Sequence, residues 1–89
     1  GDVIEVVSEN ISKKIDLINS LSFVAKVETF ESNDNRITIS FNSTIELDSA
    51  IIQLMQFFVE NHFVIKHFNY LKPSLEEVYL KYVVGGTSK

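Results

Sequence analysis

The sequence predicts a small α+β domain: a sheet of four strands, two helices packed on it, and a short closing helix. Three observations predict it. Arg36 to Phe41 alternates apolar and polar residues with the period of two that a half-buried strand requires. Two stretches, about 11–21 and 47–61, repeat apolar residues at helical spacing. Strand-like runs lie between and around them, so the order reads β-α-β-β-α-β, then α.

Asp2 to Val7 is rich in β-branched residues and is the first strand, with Ile4 and Val6 assigned to the core and Val3, Glu5 and Val7 to the other face. Ser8 or Asn10 is placed to cap the next helix. Ile11, Ile15 and Ile18 mark one face of that helix, with Leu21 beside them, over about three turns. Phe23 to Phe30 is the second strand, in which Phe23, Ala25 and Val27 alternate with Val24, Lys26 and Glu28. Glu31-Ser32-Asn33-Asp34-Asn35 is a polar turn whose Asn and Asp residues tolerate left-handed backbone angles. In the third strand Ile37, Ile39 and Phe41 face in, and Arg36, Thr38 and Ser40 face out.

After an Asn42-Ser43-Thr44 break the second helix runs from about Leu47 to Asn61. Leu47, Ile51, Leu54, Met55 and Phe58 form its main stripe, widened by Ile52 and Val59 on one flank and Phe57 on the other. That arc is broader than one sheet face needs. Asn61 is placed to end the helix in a left-handed cap. Phe63 to Tyr70 is the fourth strand. Two crossovers flanking a hairpin correspond to the split β-α-β, ferredoxin-like sandwich, with both helices on one face of an antiparallel sheet.

Composition bounds the function. Eighty-nine residues make one domain, and a chain of this size buries only about 60–65 % of its unfolded surface. Seven Phe supply a core without staples, each contributing roughly 1.5–3 kcal/mol when fully buried. The absence of Cys excludes a disulfide scaffold and thiolate metal sites. A net charge of −4 argues against nucleic acid or an anionic membrane surface, both of which reward clustered Lys and Arg. No apolar run approaches the ~20 residues of a membrane-spanning helix. The chain opens at Gly1 without Met and is read as a piece of a longer protein, with residues 85–89 as a tail.

The last part of the chain carries the most specific signal. Pro73 ends an extended segment, Ser74 can act as N-cap, and Glu77 stands three residues later as the partner of a capping box. Leu75, Val78, Tyr79 and Tyr82 follow at helical spacing, so a helix is expected from about Leu75 to Val83. Pro73-Ser74-Leu75-Glu76-Glu77-Val78-Tyr79-Leu80 resembles the closing signature of ATP-binding subunits of bacterial ABC transporters, P-S-L-E-[DE]-V-[FY]-L, in which a small accessory domain ends the chain. Tyr79 stands where that family usually has Phe.

The resemblance implies a non-catalytic accessory domain over residues 1–84, at the C-terminus of a transport ATPase. It implies protein partners: its own ATPase domain, a second ATPase subunit or the transmembrane subunit. It also implies a cytoplasmic position at the inner face of the cell membrane, with ATP and Mg on an upstream domain and no cofactor here. Leu80, Ile52 and Phe57 are the candidate contact residues.

The alternatives follow from the residues. A phosphate-cradling G-x-x-x-x-G-K-[ST] loop cannot be written with three glycines, two of them in the tail, so the chain is not expected to be an enzyme by itself. His62 and His67 are five apart and no Cys joins them, so a metal site is disfavoured. Glu76 and Glu77, in the first turn of the predicted helix, suit its dipole better than acid–base work. Asp34 and its neighbours lack the ligand spacing of a calcium loop. The outward residues Glu5, Arg36, Thr38 and Ser40 offer no base-stacking platform for RNA. The remaining rival is a stand-alone regulatory domain sensing amino acids or metals, although Val7-Ser8-Glu9-Asn10 lacks a glycine to bring backbone close to a ligand.

Overall fold

The computed structural model describes residues 2–71. The elements are β1 (Val3–Val7), a 3-10 turn (Ile11–Lys14) leading into α1 (Ile15–Asn19), β2 (Val24–Phe30), β3 (Asn33–Phe41), α2 (Leu47–Glu60) and β4 (His67–Leu71). The predicted closing helix, the Pro73–Leu80 motif and the tail lie outside the described residues.

The four strands form one antiparallel sheet in the order β2-β3-β1-β4. β1 and β3 are central, and their register opposes Ile4 to Ile39 and Val6 to Ile37. On the other side of β1, Ile4 opposes Tyr70 and Val6 opposes Phe68. Because side chains alternate across a strand, these residues share one face. Ile4, Val6, Ile37 and Ile39 are fully buried there with Ile11 and Ile18 from the first connection and Ala50, Leu54 and Phe58 from α2. Both connections therefore cover the same face of the sheet.

Several elements depart from expectation. The first connection is not a regular three-turn helix; it is a 3-10 turn running into a five-residue α-helix. Neither Ser8 nor Asn10 caps it with a side chain. The Ser8 hydroxyl instead donates to the Val64 carbonyl at 2.8 Å, while Asn10 adopts a left-handed backbone at φ 56°.

The polar run after β2 is mostly strand. β3 begins at Asn33, so only Glu31 and Ser32 turn the chain, and neither takes a positive φ. The Asn and Asp side chains tie the strand's start to the first connection: Asn35 Oδ1 accepts from the Asn10 N–H at 2.9 Å and Asp34 Oδ1 from the Ser12 hydroxyl at 3.3 Å. In β2 the register shifts between Val24 and Lys26, which buries Val24 beside Phe23 and leaves Ala25 exposed.

β4 starts four residues later than predicted. β1 is only five residues long and offers its last ladder partner to His67, with the Lys66 N–H donating to the Val7 carbonyl at 2.8 Å. Phe63 and Ile65 still pack against the core from the loop that precedes the strand.

Candidate functional site

α2 decides which surface is available for work. Its inner side is Ala50, Leu54 and Phe58, supported by half-buried Ile51 and Phe57. Ala50 is buried against the core, and the helix is turned so that Met55 leaves it. Met55 was expected on the inward stripe; it is 46 % exposed. With it, Ile52 is 57 % and Val59 74 % exposed. Ile52, Met55 and Val59 follow one another at i, i+3 and i+7, so they form one apolar stripe on the side turned to solvent. Met55, Gln56, Val59 and Glu60 border a shallow groove along it.

The candidate contact residues separate accordingly. Ile52 lies on this stripe. Phe57 does not: its ring stands 5.8 Å from Phe58 and 5.8 Å from Phe63, in an aromatic cluster closed by a Phe58–Phe63 pair at 5.1 Å. It is a packing residue, because three rings meeting there draw it under the helix end. Leu80 lies outside the described residues, as do Glu76 and Glu77. Sequence reasoning widened the core stripe with Val59 and missed that Val59 belongs to the outer one; the signal available was the excess breadth of the apolar arc.

The end of α2 is fixed by a Schellman motif. Asn61 was expected in the left-handed region, but its φ is −99° and the left-handed position falls to His62, at φ 60°. The His62 N–H donates to the Val59 carbonyl at 3.1 Å and the Phe63 N–H to the Phe58 carbonyl at 2.9 Å. These are the two bonds of the motif, and the Phe58–Phe63 contact is its usual apolar companion. The Asn61 side-chain amide donates to the Phe57 carbonyl at 2.9 Å.

The other face of the sheet holds a charge cluster. Glu5 on β1 is only 14 % exposed at its side chain and lies between Arg36 on β3 and His67 on β4. The register places Arg36 and His67 opposite Val7, one diagonal step from Glu5 on either side. Arg36 Nε donates to Glu5 Oε2, and His67 Nε2 lies 3.1 Å from Glu5 Oε1. The Arg36 guanidinium also stacks 4.2 Å from the centre of the Phe30 ring. Each carboxylate oxygen of Glu5 thus has its own cationic or potentially cationic neighbour. Sequence alone marked Glu5 and Arg36 as outward-facing and did not join them to His67.

His62 and His67 sit on different elements, one ending α2 and the other opening β4. Among the described residues no group of three or more His, Cys, Asp or Glu is placed to hold a metal ion. Asp34 serves the loop contact with Ser12. At the sheet edge the Tyr70 hydroxyl donates to Asp2 Oδ1 at 2.6 Å. That hydrogen bond first, then burial and the negative charge of Asp2, holds the phenol above its usual range. Among the described residues no helix is long and apolar enough to cross a membrane.

No family model, curated protein or solved structure matches the chain.

Proposed function

We propose that this chain is a non-catalytic interaction domain, the C-terminal accessory domain of an ABC transporter ATP-binding subunit, and that the outer face of α2 is its working surface. The exposed apolar stripe of Ile52, Met55 and Val59 carries the reading. Three large apolar side chains aligned on a helix that already has a well-buried opposite side are surplus to the fold, and such a stripe is what a protein contact uses. The resemblance of Pro73–Leu80 to the closing signature of the family supports the transporter assignment.

The strand order supports assigning the split β-α-β, ferredoxin-like class. β1 and β2 flank β3, and β3 and β4 flank β1, so each crossover spans an intervening antiparallel strand. The partners are the ATPase domain that would precede this one, the second ATPase subunit or the transmembrane subunit, at the inner face of the membrane. Nucleotide and Mg would bind on that upstream domain, and this chain alone neither binds nor hydrolyses ATP.

The test is made in the intact transporter. Ile52→Asp and Leu80→Asp should each lower assembly or coupled transport by roughly tenfold, the scale of a contact residue worth more than ~1 kcal/mol, while the domain's unfolding midpoint stays within experimental error. Assembly and transport unchanged in both variants would overturn the proposal.

A further inference from the structure

We infer that the outer face of α2 takes an amphipathic helix whose apolar stripe is flanked by Lys and Arg; this rests on the interaction reading above and names the chemistry of the partner. The stripe supplies the first half of the argument. Ile52, Met55 and Val59 span two turns, about 10 Å of helix axis, and a groove bordered by Met55, Gln56, Val59 and Glu60 runs beside them. A second helix laid along the stripe would bury these side chains, as helix-in-groove recognition does.

Charge supplies the second half. Between Arg36 and Lys66 the chain holds Glu46, Asp48 and Glu60 and not one Lys or Arg. Asp48 stands one turn before Ile52 on the same side of α2, and Glu60 borders the groove at the other end. The apolar stripe therefore lies between acidic ends.

This pattern selects among occupants. Two copies of α2 paired antiparallel would set Asp48 of each against the Glu60 end of the other, with no cation on either helix to offset the repulsion. Parallel pairing sets like on like as well. An anionic bilayer meets the same repulsion. A helix with basic flanks is attracted at both ends, and charge complementarity of this kind sets register and excludes wrong partners.

The whole chain has no Cys, so Gln56→Cys creates a single attachment point for an environment-sensitive fluorophore at the groove's edge. The probe is a synthetic Leu–Lys helix with Leu at i, i+3, i+4 and i+7, matched to the 14 residues of α2. Its counterpart is a Leu–Glu helix with the same stripe. The Leu–Lys peptide should shift the dye to the blue at a concentration at least roughly tenfold lower than the Leu–Glu peptide, a difference typical of complementary against like charge. Ile52→Ser with Val59→Ser should weaken it by a further factor of about ten. Asp48→Asn with Glu60→Gln should abolish the preference between the peptides, with the circular dichroism of the variant unchanged.

Equal response to the two peptides, or indifference to Ile52→Ser with Val59→Ser, would overturn the inference. So would a dye that is already blue in the peptide-free chain at every concentration, which means residues 72–89 cover the face. A blue shift that grows with protein concentration, or with vesicles of anionic lipid and not with peptide, assigns the face to a second copy or to a membrane and overturns it too. If these fail while Ile52→Asp still disrupts the intact transporter, the interaction reading stands and only the partner's chemistry is wrong.

Discussion

The face of the sheet opposite the helices and the outer face of α2 both point away from the core, yet among the described residues they are built in opposite ways. On the sheet, Glu5 bonds Arg36 on one neighbouring strand and His67 on the other, and Phe30 lies under the Arg36 guanidinium. On α2, Ile52, Met55 and Val59 stand exposed, with Gln56 beside them and acidic residues toward the ends. Among the described residues, the Glu5 carboxylate on the first surface is matched where it sits. The second presents apolar area that nothing in the described residues covers. The more charged face is thus the one whose charges pair with one another.

The contrast is broken most strongly along α2 itself. Leu54→Ala, on the inner side, should lower stability by about 2–5 kcal/mol, the cost of a core cavity. Ile52→Ser, two residues earlier on the outer side, should change it by no more than ~0.5 kcal/mol. Denaturant unfolding of both variants decides the point, and a loss of core magnitude at Ile52 would show that the stripe is part of the fold.

The sheet face gives an intermediate effect. Glu5→Ala removes the shared acceptor of Arg36 and His67 and should cost about 1–2 kcal/mol, at the low end for hydrogen bonds to charged groups because both partners are partly exposed. Arg36→Ala in the Glu5→Ala background should then cost much less than in the parent chain. Additive losses in that double-mutant cycle would mean the cluster is not coupled and the face is only incidentally neutral.

The smallest effect is at the end of α2. His62 occupies a left-handed position that glycine takes without a Cβ penalty. His62→Gly should raise stability by up to ~1 kcal/mol, read as a higher unfolding midpoint, and His62→Val should lower it by a similar amount. A neutral result in both would place the constraint elsewhere than in the backbone at this position.

Much of the fold was legible in the sequence. Ile4, Val6, Ile37 and Ile39 announced their inward face by alternation, and each is fully buried. α2 is where the pattern places it, and Leu54 and Phe58 of its main stripe face inward, but Met55 does not. Leu47 to Val59 carries apolar residues over so wide an arc that periodicity cannot say which edge points inward, and Ala50, the residue that marks the inner side, has almost no hydrophobic signal of its own. The polar run 31–35 looked like a turn because Asn and Asp favour turns, but tertiary contacts with Asn10 and Ser12 employ those side chains in a strand. The Glu5–Arg36–His67 cluster was the least legible part. Glu5 and His67 are 62 residues apart, and only strand register brings them together. The residues that carry the family resemblance, Pro73 to Leu80, lie outside the described structure, so geometry adds nothing to their reading.

The pairing of Val3 with Leu71 brings the head of β1 beside the foot of β4, and the Tyr70–Asp2 bond fastens them there. The two ends of the described chain, Asp2 and Leu71, therefore meet at one corner of the sheet, and a change at either end is felt by both edge contacts.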